Sequence, residues 1–219
     1  MTDKIKLDII SDVVCPWCIV GYLHLQAAID ELGLQNRIEI EWQPFELNPD
    51  MPPEGEELRE HVARKYGSSK EESDRAREQI SQAGAKYGFE FRYFDGMKIV
   101  NTLDAHVLLE YAHTVGKKTE LKLRLFSAFF TEQKDVSDPR VLIEEAVAVG
   151  LPKLEVEQQL SERHLKDKIR QQESQWHQMG VSSVPTVVFN RTSALTGAHP
   201  QDTYKQVLLE LVSEVDGIV

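Results

Sequence analysis

Cysteine is nearly missing from this chain, with two residues among 219. A structural zinc site needs about four ligands. No second cysteine pair is there to supply them, and none of the seven histidines shows H-x₃₋₅-H spacing near a C-x-x-C module, so no metal is expected. Basic charge is also in deficit. The 25 Lys and Arg against 36 Asp and Glu leave a net charge of −11, which argues against nucleic acid and anionic membranes, whose phosphates need a basic face. Long apolar runs are missing too: charges interrupt each one before it reaches transmembrane length. In the opening stretch, MTDKIKLDIISDVVCPWC, Asp8 and Asp12 fall where a signal peptide has its apolar centre, and no small-residue cleavage site follows. The chain is therefore expected in the cytoplasm, where structural disulfides are rare and a close thiol pair is more often catalytic or metal-binding. Internal repeats and low-complexity tracts are absent.

What is present begins with a strand. In KIKLDII, Ile5, Leu7 and Ile9 alternate with charge. Beyond the cysteines, Cys18, Tyr22, Leu25, Ile29 and Leu32 recur at steps of 4, 3, 4 and 3, an amphipathic helix that Gly33 is placed to cap. RIEIEWQPF alternates Ile38, Ile40 and Trp42 and predicts a second strand ended by Pro44. Strand, helix and strand so close together make a βαβ unit with parallel strands. FELNPDMPPEG is a proline-rich connector, and from Glu56 to about His177 the periodicity is mostly helical. Within it, one helix starts near Asn101 and stops at Gly116. Another has Pro139 in its first turn behind Asp138 and stops at Gly150. SVPTVVFN and ALTG read as two short strands joined by RTS, and a helix from about Pro200 closes the chain.

Both cysteines lie in SDVVCPWCIVG, three positions apart, a spacing two random cysteines would show about one time in a hundred. Cys15 follows the first strand and opens the first helix. Unpaired backbone N–H groups and the helix dipole there favour an anion, so an exposed Cys15 with a lowered pKa is expected. Pro16 suits the first helical position. Cys18 lies one turn on, close enough for a disulfide. The expected division of labour has Cys15 attack a partner disulfide and the more buried Cys18 resolve the mixed disulfide. Trp17 is read either as an apolar wall over the sulfurs or as a packed surface tryptophan.

Four stretches carry a resemblance: SDVVCPWC after the first strand, PFELNPDMPPEG after the second, NTLDAH in the helical section, and GVSSVPTVVF before the hairpin. From about Lys4 to the C-terminus the chain resembles the DsbA-like branch of the thioredoxin superfamily, in particular its FrnE-like cytoplasmic members. The fold expected is α/β and thioredoxin-like (βαβ … ββα), interrupted by a large all-helical insertion. Residues 1–47 and 180–219 would form the thioredoxin part and 48–179 the insert, covering one side of the site. The resemblance implies a cis Pro185 against the cysteine pair, with Val184 offering backbone groups to a bound peptide. It departs from DsbA in carrying Trp17 where DsbA has histidine, which implies a less stabilised thiolate and a weaker oxidant. The carboxylate that the relatives place six residues before the first cysteine is Ile9 here. Strand alternation points Asp8 to the opposite face. Asp12 is the better candidate for proton transfer to Cys18, unless it is a solvent-facing turn residue or a helix-start partner.

The resulting expectation is a thiol–disulfide oxidoreductase acting on protein or small-molecule thiols and disulfides. Glutathione is a candidate co-substrate, no bound cofactor is implied, and a homodimer is left open. Two rivals remain. One is a glutathione-dependent isomerase or transferase, like the 2-hydroxychromene-2-carboxylate isomerases and kappa-class transferases, which do not need a second cysteine. The other is a holdase using the insert as a peptide platform.

Overall fold

The computed structural model of the chain describes residues 4–217. Residues 1–3 and 218–219, the outer ends of the two expected thioredoxin segments, lie outside the described residues. Strand β1 (Ile5–Ser11) leads into helix α1 (Pro16–Leu32) and strand β2 (Ile38–Pro44). β1 and β2 are parallel, in register from Ile5 opposite Ile38 to Ser11 opposite Pro44. Gly33 ends α1 in the left-handed conformation, φ 66°. Pro44 closes β2 as its last residue.

The chain returns to this sheet much later. Strand β5 (Thr186–Phe189, numbered with the two short strands of the insert) pairs antiparallel with β1, Leu7 opposite Phe189. Strand β6 (Ser193–Thr196) pairs antiparallel with β5, and the sheet order is β2-β1-β5-β6. The turn between them holds Asn190 and Arg191 at positive φ. Helix α9 (Gln201–Val215) follows Pro200. Alternation along β1 sorts the two faces. Ile5, Leu7 and Ile9 pack with Leu25 and Ile29 of α1 and with Tyr204 and Leu208 of α9. Ile10, on the other face, packs with Phe45 and Trp176.

Between Pro44 and Thr186 the chain is helical: α2 (Leu58–Tyr66), α3 (Lys70–Ala85), α4 (Leu103–Thr114), α5 (Lys118–Phe130), α6 (Pro139–Ala148), α7 (Lys153–Ser161) and α8 (Arg163–Gln178). The caps follow the sequence. Ser69 and Glu72 form a reciprocal capping box on α3. Asp138 accepts the Arg140 N–H ahead of Pro139 in α6. Asn101 accepts the Leu103 N–H at 3.0 Å at the start of α4. Added to the helices is a two-residue antiparallel ladder, β3 (Glu56–Glu57) with β4 (Lys98–Ile99), which clamps the connector against the far end of the α2–α3 hairpin. Such a ladder is too short for strand periodicity to show.

Trp42 joins sheet to insert. It lies 4.9 Å from the Tyr22 ring of α1 and 6.4 Å from the Phe126 ring of α5, and donates to Thr119 Oγ1 at 3.0 Å. Buried residues of α4, α5 and α6, among them Leu108, Leu125 and Leu142, fall in the same packed cluster as those of β1 and α1. No helix among the described residues is long and apolar enough to cross a membrane.

Candidate active site

Cys15 is the N-cap residue of α1, in extended backbone conformation, with Pro16 at the first helical position. Its amide donates to the Asp12 carbonyl at 3.2 Å, and its own carbonyl accepts the Cys18 N–H at 3.1 Å. The two thiols are free and sit one turn apart on the same helix. On the other side of Cys15 lies the loop before β5. The Val184–Pro185 peptide bond is cis, and the Cys15 thiol donates to the Val184 carbonyl at 3.8 Å. A glycine permits the approach: a Cβ on Gly21 would come within 3.3 Å of both Pro185 Cγ and Ala198 Cα.

The expectation of an exposed, acidified Cys15 is overturned. Cys15 is 4% exposed and Cys18 fully buried. Burial pushes the Cys15 thiol well above its ordinary range, the adjacent Cys18 side chain and the Asp12 charge add to this, and only the Cys18 backbone N–H opposes it. Desolvation disfavours the thiolate here. The sequence could show the helix start but not the walls around it.

Those walls belong largely to the insert. A cavity of about 390 Å³ runs from Cys15 between the start of α1 and the α2–α3 hairpin. Its sides include Leu58, Val62, Ile80, Met97 and Phe129. Trp17, 40% exposed, and Tyr66, 62% exposed, stand at its edge. Trp17 is therefore a cavity wall beside Cys15 with one face in solvent, and it shares features of both readings made from the sequence. Val184 also lines the cavity.

Asp12 is fully buried, so the solvent-facing reading is excluded. Its carboxylate accepts the Leu47 N–H at 2.8 Å and meets His106 Nε2 of α4 at 3.3 Å. Burial alone would raise its pKa, but His106, the Leu47 N–H and Lys122 together hold it below the usual carboxylate range. Burial pushes His106 down, so a neutral imidazole donates its Nε2–H to the carboxylate. The balancing cation is Lys122 of α5. It is buried beside the Trp42 and Phe126 rings, donates to the Ser11 carbonyl at 3.2 Å, and is lowered by burial to about 8. Asp8 faces away from α1, as alternation implied, and is bound by Gln43 at 2.7 Å and Arg191 at 3.2 Å.

Next to Asp12, Glu46 is raised by burial and by the Asp12 charge to about 7, and Glu173 of α8, raised by burial and by Glu46, to about 8. Glu173 accepts the Glu46 N–H at 2.6 Å. Carboxyls raised from an ordinary 4.5 bind protons in the folded chain that the unfolded chain has released. Their contribution to stability is therefore whole below about 4.5 and shrinks as pH climbs through 7 and 8. Glu173→Gln keeps the acceptor and removes the charge. Its melting temperature should match wild type near pH 5 and exceed it at pH 8.5 by about 2–5 °C. Equal melting-temperature differences at both pH values would sink this assignment.

His106 and Lys122 were not singled out from the sequence. His106 stands in NTLDAH, a stretch marked by resemblance but given no role. Lys122 carried a signal: it lies on the apolar stripe of α5, between Leu121 and Leu125, where a lysine has to find a buried partner. Among the described residues, no group of three or more His, Cys, Asp or Glu could hold a metal ion.

Comparison with known proteins agrees with this geometry. The model of the DsbA-like thioredoxin domain matches residues 6–209. The chain is 27% identical over 209 residues to the uncharacterized protein YwbO of Bacillus subtilis (strain 168), covering 95% of this chain and 96% of that one. The crystal structure of the probable DsbA oxidoreductase SCO1869 from Streptomyces coelicolor superposes with a TM-score of 0.88 at 27% identity, over 97% of this chain and 90% of the other. The cytosolic disulfide reductase DsbM of Pseudomonas aeruginosa shares the fold, with a TM-score of 0.67 at 17% identity over 94% and 98% of the two chains. With its sheet order, its C-x-x-C at a helix start and a family match over nearly all its length, this chain belongs to the DsbA-like thioredoxin family.

Proposed function

We propose that the protein is a cytoplasmic thiol–disulfide oxidoreductase that works in the reducing direction through Cys15 and Cys18. The observation that carries this is a pair of free, buried thiols at the start of α1, with Cys15 opening onto a cavity. The Cys15 thiolate attacks one sulfur of a substrate disulfide. A bond forms between Cys15 and that sulfur, and the other half leaves as a thiolate. Cys18 then loses its proton and attacks Cys15, the second half leaves, and two electrons have passed from the pair to the substrate. A low-molecular-weight thiol restores the dithiol. Glutathione is the named candidate, and DsbM has also been solved with glutathione.

The environment of Cys15 supports the reducing direction. A strong oxidant is one whose reduced form is stabilised as thiolate, and burial here withholds that stabilisation. Val184, beside the sulfur, would hold the substrate chain through its backbone. Lys122, lowered by burial to about 8, is the group that takes up the Cys18 proton in the resolving step when it is neutral. The ionised Asp12, the proton-transfer residue expected from the sequence, favours the ammonium so formed.

The test is the reduction potential of the pair in a glutathione redox buffer, together with turnover of a Cys15→Ser protein. A potential below about −250 mV and turnover reduced to the uncatalysed background are expected. A potential near −120 mV would reverse the direction. A Cys18→Ser protein that turns over as fast as wild type would favour the glutathione-type isomerase or transferase, which needs one nucleophile only. Client binding undiminished in a protein lacking both thiols would favour the holdase.

A further inference from the structure

The cavity in front of Cys15 says more about the substrate than the cysteine pair does. Its walls are mostly apolar, and its charged groups are already engaged within the protein. His61 Nδ1 meets Glu56 Oε2 at 2.6 Å, Arg77 is paired with Asp74 and lies over the Tyr93 ring, and Glu72 accepts the Ser69 N–H at 2.8 Å. Glu72 is the one of these with no ion-pair partner, and it is exposed on α3. The buried walls around Leu58, Ile80, Met97 and Phe129 therefore offer no charge to an ammonium or carboxylate group. The volume, about 390 Å³, falls at the small end of the range for small-molecule pockets. Cys15 itself is 4% exposed, with Trp17 and Tyr66 at the edge of the cavity that leads to it, an arrangement that suits a small substrate entering the cavity.

Resting on the oxidoreductase reading above, we propose that the substrate is a low-molecular-weight disulfide with an uncharged aromatic or branched aliphatic arm, and that this arm fills the cavity. The half bearing the arm is the one joined to Cys15. Its sulfur forms the Cys15 mixed disulfide while the ring or alkyl group lies against Ile80 and Phe129, and the other half departs as thiolate past Trp17. Cys18 then displaces the arm as a thiol, leaving the Cys15–Cys18 disulfide. Both electrons come from the pre-reduced pair. The arm is held only by apolar contact, so the gain scales with the area it removes from water.

Single turnover of the pre-reduced protein tests this, with dibenzyl disulfide, the disulfide of mercaptoethanol, glutathione disulfide and insulin at fixed cosolvent. Dibenzyl disulfide should react at least about tenfold faster than mercaptoethanol disulfide per unit concentration, the factor expected for burying one phenyl ring. Ala76 is exposed on α3 and lines the cavity, so Ala76→Trp should fill it at little cost to folding. Ala76→Glu should place an unpaired carboxylate in it. Both should bring the ratio of the two rates near one, with far-UV circular dichroism confirming that each variant is folded. A ratio unchanged in both variants, or glutathione disulfide or insulin reacting fastest with wild type, overturns the proposal and leaves the oxidoreductase reading intact. No reaction of the wild-type dithiol with any of the four would instead overturn the oxidoreductase reading itself.

Discussion

A Cys18→Ser protein should accumulate on Cys15 as a mixed disulfide with whatever disulfide it is offered, close to one adduct per chain, while wild type shows only traces. Access separates the two thiols. Cys15 contacts the cavity, whereas Cys18 is fully buried inside the first turn of α1. Only Cys15 can make the first attack, and only a thiol one turn away can displace the product from a sulfur so enclosed. External thiols would have to enter a cavity that the substrate arm already occupies, so release in the variant should be slow. Adduct formation should also speed up above neutral pH, because the raised Cys15 thiol loses its proton late. Intact-mass measurement after exposure to disulfide reads both the stoichiometry and the pH dependence. Rapid self-release by the variant would mean that another group resolves the adduct.

The thioredoxin part of the fold could be read from local patterns. Ile5, Leu7 and Ile9 alternate, the stripe from Cys18 to Leu32 is helical, and Gly33 and Pro44 punctuate where the structure ends α1 and β2. The site was legible only as far as local sequence reaches. Cys15 at a helix start is a fact of neighbouring residues, and that much holds. Its pKa is raised first by burial, and much of the cavity wall beside it comes from residues 58–130, which no local window relates to position 15. The same applies to Asp12. Its partners Leu47, His106 and Lys122 are brought to it from β2's far end, α4 and α5. A carboxylate with three distant partners looks in sequence like any turn aspartate. Lys122 was visible as a charge on an apolar stripe, and a buried lysine implies a buried acid somewhere. Which acid it meets is decided by tertiary packing.

That pair should dominate the stability of the site. Asp12→Ala removes the buried charge that favours the Lys122 ammonium and the acceptor of the Leu47 N–H and His106, leaving that ammonium with the Ser11 carbonyl but no compensating carboxylate. Breaking a buried pair from one side costs about 3–5 kcal/mol. The loss should depend on pH in a defined sense. Lys122 is lowered from 10.5 to about 8 in the folded chain, so the unfolded chain binds more protons between those values and stability gained by this residue rises with pH across that window. Without Asp12 the folded value falls further, and the recovery should begin at lower pH and be larger. Urea unfolding of Asp12→Ala at pH 7 and pH 9.5 should therefore show the defect shrinking as Lys122 becomes neutral. Adding Lys122→Met to Asp12→Ala should restore part of the loss, because an apolar chain needs no counter-charge between Trp42 and Phe126. The Cys15 thiol gives an independent readout. Asp12 is one of the charges pushing it up, so Asp12→Asn should move its alkylation midpoint to lower pH while Lys122→Met moves it higher. Additive stability losses in the double variant, with an unmoved alkylation midpoint, would show that the two residues act apart and that the pair does not govern the thiols.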